Sequence, residues 1–326
     1  MDIELVSTLR GKKLELWKRF LTQAELEPDM DWERTVLIWE DGQLIAAASR
    51  NGNLLKCIAV DPFRQGEGLT ATLLTQLRQD AFQAGHSHLF LYTKPKNKYM
   101  FSSLFFYPIA ETGDVLLMEN KEKGIQSFLS TLPENPCGGT VGALVMNCNP
   151  FTKGHRYLIE TASKACEQVY VFVLSEDKSR FSAAQRLEMV RLGTADLPGV
   201  TVLPTGPYLI SSATFPTYFL KDRETAAQVQ CLLDIEIFCK YYAPRLGISH
   251  RYVGTEPLSP MTAQYNDALK TNLPQRGITV VEIPRLEIGE PVSASAVRKA
   301  LEEGNETALQ QMLPKTTYDY IKKHNL

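Results

Sequence analysis

The sequence predicts an α/β protein with two domains: an N-terminal α+β domain followed by a Rossmann-like domain built on a parallel sheet. The chain has 326 residues, which is long for one domain and sufficient for two. Its first half alternates strands with hairpin turns, whereas its second half alternates apolar strands with helices. A stretch rich in proline and glycine, "LPENPCGGT" at residues 132–140, separates the two patterns.

That stretch predicts a domain boundary. We expect a first domain over residues 1–135 and a second over 140–326. In the first half, Asp41-Gly42 and Asn51-Gly52 are typical of tight hairpin turns. Residues 70–85 carry apolar side chains at helical spacing up to a glycine, and residues 99–110 predict a second helix that leads into a loop. Together these features predict an antiparallel sheet with a central helix.

The second half predicts a parallel sheet covered by helices on both faces. The predicted strands are residues 141–147, 168–175, 200–204, 250–254 and 278–284. The predicted helices are residues 154–167, 182–195, 225–242, 294–304 and 307–313. Ligands of such sheets bind at the carboxyl ends of the strands, so we expect the functional site there.

Composition excludes several classes of protein. The formal net charge is −2, so no overall field attracts nucleic acid or an anionic membrane, and we expect neither as a partner. No apolar run approaches the ~20 residues that span a bilayer. The chain starts without a signal-peptide core, and its six cysteines form no CxxC pair. These features predict a cytoplasmic protein without a protein-held metal site.

The first stretch that carries chemistry follows the strand at 141–147. It reads "NPFTKGHRYLIE", residues 149–160, and turns directly into a helix. Gly154 allows a ligand close to the backbone, and His155 lies in the first helical turn, where free N–H groups favour an anion. Thr152 and Lys153 stand beside them. A turn with a surface histidine would explain the stretch equally simply, but the residue types favour a phosphate site.

A second stretch, "VSASAVRKAL" at residues 292–301, has the same character. Ser293 and Ser295 stand at the start of a helix, where serine caps leave N–H groups facing outward. Arg298 lies one turn further, where it can bind phosphate oxygens with two donors. On one sheet, the two stretches would hold a nucleotide triphosphate from both sides.

These motifs resemble those of the nucleotidyltransferase superfamily, in which a T/HxGH motif and an ISSTxxR motif open and close one Rossmann-like domain. With "SEDKSRFSAAQRLEMV" and "YVGTEPLSPMTAQYNDAL" they resemble, over essentially the whole chain, the citrate lyase ligases. The resemblance implies an enzyme that uses ATP, with Mg²⁺ on the nucleotide. Acetate would become acetyl-adenylate with release of pyrophosphate. The prosthetic-group thiol of the citrate lyase acyl-carrier subunit would then take the acetyl group, releasing AMP.

The expected roles follow from this reaction, because attack on the α-phosphorus needs positioning and charge stabilisation. We expect His155, Lys178 and Arg298 to be catalytic. The expected nucleotide-binding residues are Thr152, Lys153, Gly154, Arg186, Glu256, Ser293 and Ser295. For three of these residues a role without any ligand contact stays open. Lys178 and Arg186 could be solvated surface charges, and Glu256 could cap a loop where it is expected to touch the ribose.

The N-terminal half contains "CIAVDPFRQGEGLTATLLTQL", residues 57–77, which resembles the pyrophosphate-binding signature of GNAT-type acyltransferases. In that signature a strand ends at a glycine turn that opens a helix, whose N–H groups hold CoA phosphates. Gly66 and Gly68 match it, so both are expected to bind a CoA-like group. No clear general base for amine acetylation is present in this half.

Three other functions remain open at this point. The second domain could be an adenylyltransferase that makes a dinucleotide-type cofactor. The first could be an active N-acetyltransferase, with the second domain binding nucleotide as a regulator. The chain could also be an inert scaffold for citrate lyase subunits. The GNAT-like half favours acyl chemistry over the first, the missing base disfavours the second, and the two phosphate motifs disfavour the third.

Overall fold

The computed structural model describes residues 1–134, 138–176, 179–209, 218, 223–256, 259–288 and 290–326. The chain divides into two units. The first unit comprises Met1–Gln126 with Phe215–Val229, and the second comprises Ser127–Thr214 with Gln230–Leu326. The sequence did not predict that a segment from the second half would belong to the first unit. The expected domain limits at 135 and 140 stay a prediction.

The first unit is an α+β fold. Its strands are β1 (Asp2–Val6), β2 (Arg34–Glu40), β3 (Gln43–Asn51), β4 (Leu54–Val60), β5 (Phe90–Thr93), β6 (Tyr107–Glu111) and β7 (Leu116–Glu119). Its helices are α1 (Gly11–Gln23), α2 (Leu69–Gln83) and α3 (Lys98–Ser103). The predicted helix at 70–85 is confirmed as α2. The predicted loop after α3 is wrong, because residues 107–111 form strand β6.

The seven strands form one sheet in the order β1-β2-β3-β4-β5-β7-β6. The hairpin predicted at Asp41-Gly42 is confirmed: φ is 49° at Asp41 and 77° at Gly42, the left-handed values that a two-residue type I′ turn requires. Helix α2 packs Leu73 and Leu77 against the sheet, and both side chains are fully buried. The expected antiparallel sheet with a central helix is therefore present, with one exception.

The exception is the pair β4 and β5, which runs parallel. Their pairing covers Leu54 with Phe90 and Leu55 with Leu91. Beyond these residues the two strands separate, and a cleft opens between Ile58–Val60 of β4 and the end of β5. Two adjacent strands that part expose backbone groups and the start of the following helix to a ligand.

The second unit is a parallel α/β fold. Its main strands are β8 (Val141–Met146), β9 (Gln168–Val173), β10 (Val200–Pro204), β11 (His250–Gly254) and β12 (Thr279–Ile283), followed by the two-residue strands β13 (Glu287–Ile288) and β14 (Glu290–Pro291). The helices after α3 are α4 (Gly124–Leu129), α5 (Lys153–Ser163), α6 (Ala183–Thr194), α7 (Arg223–Ile237), α8 (Ala243–Leu246), α9 (Pro260–Asn272), α10 (Ala294–Glu302), α11 (Glu306–Met312) and α12 (Lys315–Lys323). Of these, α4 begins in the first unit, and α7 belongs to the first unit as far as Val229. A π-helical turn, Phe238–Tyr242, joins α7 to α8.

The main sheet has the order β10-β9-β8-β11-β12, and all its neighbours are parallel. The predicted parallel sheet is thus confirmed. From β8 the chain builds outward through β9 and β10, and it then returns to the other side of β8 with β11 and β12. The switch point lies between β8 and β11, which is where open α/β sheets bind their ligands. Within the described ranges, no helix is both long and apolar enough to cross a lipid bilayer.

Candidate active site

The turn from β8 into α5 is fixed by Phe151. Its side chain is fully buried in the core beside α6. Gly193 of α6 makes room for the ring, because a Cβ at that position would lie 2.4 Å from Phe151 Cε1. The same ring stacks on His155, with centroids 6.0 Å apart and planes inclined by 14°. Phe151 therefore anchors the turn and supports one face of the imidazole.

His155 is held by a reciprocal cap at the start of α5. The backbone N–H of Thr152 donates to His155 Nδ1 over 3.1 Å, and the His155 N–H donates to Thr152 Oγ1 over 3.3 Å. Thr152 thus satisfies a free N–H of the first turn, as a capping box does. Because Nδ1 accepts a hydrogen bond, Nε2 carries the proton of the neutral ring. The cap presents Nε2–H as a donor.

The imidazole is also kept neutral. Burial, and to a smaller extent the nearby positive charge of Arg285, together lower the pKa of His155 from 6.5 to about 4. A neutral Nε2–H donor suits an oxygen that gains negative charge during a reaction. The ring is not suited to act as a general base, because its proton-accepting nitrogen, Nδ1, already accepts a hydrogen bond from Thr152.

The second motif starts α10. Ser293 caps this helix by accepting a hydrogen bond from the N–H of Ala296 over 3.0 Å. Arg298 Nη2 donates to Ser295 Oγ over 3.0 Å, and its Nη1 donates to the carbonyl oxygen of Asn149 over 2.7 Å. Arg298 and Asn149, which are 149 positions apart in the sequence, are therefore joined directly by a hydrogen bond. The two predicted motifs meet at the carboxyl edge of the sheet.

A pocket of about 250 Å³ opens at this edge. Five of the predicted nucleotide-site residues line it: Thr152, Gly154, His155, Glu256 and Ser293. They come from α5, from the loop after β11 and from the start of α10, so the switch point collects three separate stretches of sequence. A Cβ on Gly154 would make only ordinary contacts, 3.5 Å from Thr152 Oγ1 and 3.5 Å from the carbonyl oxygen of Val292. The fold itself therefore tolerates a side chain there, and the glycine leaves space toward the pocket.

Lys153 and Ser295 lie outside the pocket wall. Lys153 Nζ donates to the carbonyl oxygen of Gln310 over 3.0 Å. Ser295 is exposed and holds Arg298. Lys178 falls outside the described residues.

The environment of Arg186 differs from both environments that the sequence suggested, a phosphate site or the solvated surface. Its side chain is 0% exposed. Its Nε donates to the Phe181 carbonyl over 3.0 Å, its Nη1 to the Asn147 carbonyl over 3.0 Å, and its Nη2 to the Glu176 carbonyl. The guanidinium thus ties the end of β8 to the loop before α6. This arrangement favours a structural role over the expected contact with phosphate or over a solvated surface charge.

Glu256 and Arg285 form an ion pair in the pocket wall. Arg285 Nη1 lies 3.0 Å from Glu256 Oε1, and the same carboxylate oxygen accepts the Ser259 N–H over 3.2 Å. Glu256 therefore does cap a loop, and it faces the pocket as well. Sequence reasoning missed Arg285. The signal was available, because Arg285 lies two residues after the end of β12, at the edge where the site was expected.

Two more residues of the pocket wall were also missed. Arg251 and Asn266 are both buried, and Asn266 Nδ2 donates to the Gly254 carbonyl over 2.9 Å. Arg251 follows His250 in a strand of a parallel sheet, where most side chains are apolar, and two basic residues there are unusual enough to be noticed from sequence. The helix of Asn266, α9, was not predicted at all.

The N-terminal glycine turn lies in the wall of the cleft between β4 and β5. This cleft has a volume of about 750 Å³. Gly66 and Gly68 adopt φ values of 90° and 78°, and Gly68 is the N-cap of α2. Such values disfavour any other residue. Arg64 in the same turn pairs with Glu67 at 2.7 Å and with Glu40.

The described residues show neither a cluster of metal-ligating side chains nor a reactive thiol beside the first motif. Within the described parts of the chain, no group of three or more His, Cys, Asp or Glu could hold a metal ion. Cys148 lies next to the first motif, but its side chain is buried and burial raises the pKa of its thiol well above the usual value. A thiol in this state packs as a small hydrophobe and is a poor nucleophile.

Solved structures resemble parts of the chain. An acyl-CoA N-acyltransferase from Pseudomonas aeruginosa matches 37% of this chain and 100% of its own length, with 15% identity and a TM-score of 0.33. TmcAL from Thermotoga maritima, bound with alpha-thio ATP, matches 57% of this chain and 56% of its own, with 15% identity and a TM-score of 0.37. At these values neither similarity bears on function.

Family models and curated relatives give a much closer match. Residues 141–321 match the citrate lyase ligase C-terminal domain, and residues 6–101 match the acetyltransferase (GNAT) family. The citrate (pro-3S)-lyase ligase of Klebsiella pneumoniae is 41% identical over 98% of this chain and 96% of its own. The protein of that name from Haemophilus influenzae is 39% identical over 99% of both chains. With a relative this similar over its full length, the chain belongs to the citrate lyase ligase family.

Proposed function

We propose that this protein is an ATP-dependent ligase that acetylates the prosthetic-group thiol of the acyl-carrier subunit of citrate lyase. Relatives named citrate (pro-3S)-lyase ligase match nearly the whole length of this chain. The observation that carries the proposal is the pocket at the switch point. His155, Glu256 and Ser293 reach it from three stretches of sequence, and two of these stretches are the predicted phosphate motifs.

The reaction has two steps. In the first, a carboxylate oxygen of acetate attacks the α-phosphorus of ATP, and the bond from that phosphorus to the α,β-bridging oxygen breaks. Pyrophosphate leaves with the electron pair, and acetyl-adenylate remains. In the second, the carrier's sulfur attacks the acetyl carbon and loses its proton. The bond from that carbon to the phosphate oxygen of AMP breaks, so AMP leaves and a thioester is formed.

His155 would stabilise the first step. Charge builds up on the α-phosphoryl oxygens as acetate attacks, and a fixed donor aimed at them lowers the barrier. The Thr152 cap favours the tautomer with the proton on Nε2, and the low pKa keeps the ring neutral. The ring would therefore donate a hydrogen bond without transferring a proton. Removing one such donor typically raises the barrier by ~2.7–4 kcal/mol.

The other motif residues would hold the triphosphate. The start of α10, capped by Ser293, directs free N–H groups outward, and Arg298 adds a positive charge beside them. We propose that Lys178 and Ser295 assist there, and that Lys153 does so only by leaving its present bond with Gln310. Mg²⁺ would enter on the triphosphate, where it neutralises charge, because magnesium is usually bound through substrate phosphates with few protein ligands.

We further propose that the cleft of the first unit receives the carrier's CoA-like arm. Its wall contains Lys96 and the glycine turn at the start of α2, together with Arg64 and Lys94, which now pair with carboxylates and would have to turn toward a phosphate. Backbone N–H groups at such a turn bind phosphates without needing a particular side chain. The cleft volume of about 750 Å³ is within the range of cofactor sites.

The cleft can be tested by filling it. Ala71 lies in the first turn of α2 and lines the cleft, so Ala71→Phe should impair thiol acetylation and leave acetate-dependent pyrophosphate exchange intact. Thr75→Phe, one turn further on the same helix at an exposed position, is the matched control. Calorimetry with dephospho-CoA on the full chain, with AMP added to fill the other pocket, should detect binding that Ala71→Phe removes. Normal thiol transfer by Ala71→Phe would refute this role.

One assay separates the proposed ligase from the other functions. Labelled ATP is incubated with acetate, with and without the carrier, and the adenylate products are separated. A ligase makes AMP that depends on both acetate and the carrier thiol. An adenylyltransferase would make a dinucleotide, and an N-acetyltransferase would form no acetate-dependent AMP. We place the enzyme in the cytoplasm, which accords with the five described cysteines being free thiols.

A further inference from the structure

Arg251 is a buried arginine without hydrogen-bond partners for two of its nitrogens. Its side chain is 3% exposed, and Nε and Nη1 are shielded from solvent yet bonded to no acceptor. Among the described residues it forms no ion pair. Buried donors are satisfied in most proteins, and an unsatisfied charged donor is costly. The fold keeps this group in spite of the cost, which points to an acceptor that arrives with a ligand.

The surroundings of Arg251 contact its guanidinium without forming an ion pair with it among the described residues. Its guanidinium lies over the ring of Phe238, 4.7 Å from the ring centroid. The nearby Asp234 accepts a hydrogen bond from the hydroxyl of Tyr265. Aromatic stacking fixes the plane of a guanidinium and leaves its N–H edge free for a carboxylate or a phosphate.

Arg251 belongs to the wall of the same pocket as His155. It lies on β11, three residues before the end of the strand at Gly254. A β-strand rises about 3.3 Å per residue, so the backbone of Arg251 lies roughly 10 Å inward from the carboxyl edge of the sheet. His155 and Ser293 start their helices at the edge itself. The pocket therefore has a phosphate-type end at the edge and a second, cationic end further in.

The other arginine of the pocket does not compete for this role. Arg285 is paired with Glu256 at 3.0 Å, so its charge is already balanced. Arg251 is the arginine of the described pocket wall whose charge is left for an incoming anion. The whole pocket is small, at about 250 Å³. A small monocarboxylate fits these conditions.

We propose that Arg251 binds the carboxylate of the acid substrate and selects a small carboxylic acid for activation. This inference rests on the proposed ligase function and adds the residue that recognises the acid. One carboxylate oxygen would accept from the guanidinium, while the other stays free to attack the α-phosphorus. The positive charge would also offset the repulsion between the carboxylate and the triphosphate, which must approach each other before any bond forms.

The test is a comparison of two KM values in the full-length enzyme. Arg251→Met keeps the side-chain length and the contact with Phe238 but removes the donors. The KM for acetate in pyrophosphate exchange should rise roughly 10- to 100-fold, the ratio for losing a charged hydrogen-bonded pair. The KM for ATP should change by less than about threefold, since the nucleotide would be bound at the edge. The melting temperature should not fall, because an unsatisfied buried charge has been removed.

Arg245→Met is the matched control. Arg245 belongs to the same unit and also has a buried Nε without a partner, but it lies outside the pocket wall and donates to the Leu132 carbonyl. Its KM for acetate should equal that of the wild type. If Arg251→Met does not fold, Arg251→Lys keeps a buried cation with fewer donors and should show a smaller rise in the same KM.

Three results would overturn the inference. A rise confined to the KM for ATP would mean that the guanidinium faces the nucleotide. Unchanged KM values in Arg251→Met, or in Arg251→Lys where only that variant folds, would mean that its role is structural. An equal effect of Arg245→Met would mean that the change acts through the fold. Failure of the ligase proposal itself is distinguishable, because the wild type would then show no acetate-dependent exchange at all.

Discussion

The Thr152 N–H donates to Nδ1 of His155 over 3.1 Å, and this single bond determines what the histidine can do. It leaves the proton of the neutral ring on Nε2, and burial keeps the ring neutral by lowering its pKa to about 4. A histidine in this state is a hydrogen-bond donor of fixed direction. The proposed chemistry needs such a donor at the α-phosphoryl oxygens.

Replacing His155 should therefore slow the chemical step. We expect His155→Ala to lower kcat by roughly 10²–10³, the range for losing one oxyanion-type donor. Stability should fall by at most about 1 kcal/mol, because the substitution removes one capping hydrogen bond. Steady-state kinetics and a thermal melt give both values. His250→Ala, a change of a β11 histidine outside the pocket wall, should retain full turnover; equal losses in both variants would contradict the role of His155.

The pKa of His155 also predicts a pH dependence of stability. The folded value of about 4 lies below the ordinary value of 6.5, so between these values the unfolded chain binds more protons than the folded chain. The contribution of His155 to stability is therefore constant above about pH 6.5 and falls as the pH drops toward 4. The measurement is the denaturant midpoint of the wild type relative to His155→Gln from pH 4 to 8. A difference that does not change with pH would show that the ring titrates normally.

Gly154 offers a test of ligand approach that leaves the fold intact. A Cβ there would make only ordinary 3.5 Å contacts, and alanine in a helix is up to about 1 kcal/mol more favourable than glycine. Gly154→Ala should therefore melt at or slightly above the wild-type temperature. If phosphates lie against this backbone, the same methyl group should raise the KM for ATP about tenfold or more. A variant with unchanged KM would mean that the nucleotide lies elsewhere.

Arg298 joins the two motifs, so its loss should affect nucleotide binding most. We expect Arg298→Ala to raise the KM for ATP, with a smaller effect on kcat, because it removes a cation beside the proposed triphosphate site and releases the Asn149 carbonyl. Losing a charged hydrogen bond costs about 1.5–3 kcal/mol, or roughly 10- to 100-fold in KM. Lys299→Ala, an exposed neighbour, is the control. If Arg298→Ala does not fold, the main role of Arg298 is structural.

Much of the fold could be predicted because strands and helices of the second unit have clear periodicity. Each predicted strand there, from β8 to β12, is present within a few residues of its expected bounds. The errors lie where pairing with another segment of the chain determines the local secondary structure. Residues 107–111 form a strand because β7 pairs with them, and the short run "YPIAE" carries no periodic signal of its own.

The site was predicted in outline and missed in its interior. Motif spacing identified Thr152, Gly154, His155 and Ser293, which do line one pocket. The surrounding of Arg186 could not be predicted, because a helix position one turn from the N-cap does not reveal that three backbone carbonyls surround it. Arg251 and Arg285 were missed for a related reason: the pocket is built by the order of strands in the sheet, and that order becomes visible only in three dimensions.

The most direct test of the proposed function is isotope exchange in the absence of any carrier protein. The enzyme is incubated with ATP, labelled pyrophosphate and acetate, and the label in ATP is followed over time. If acetate is activated at the pocket of His155 and Ser293, label should enter ATP at a rate that requires acetate and that His155→Ala lowers by roughly 10²–10³. Absence of exchange until the carrier thiol is added would contradict a free acetyl-adenylate and with it the two-step reaction.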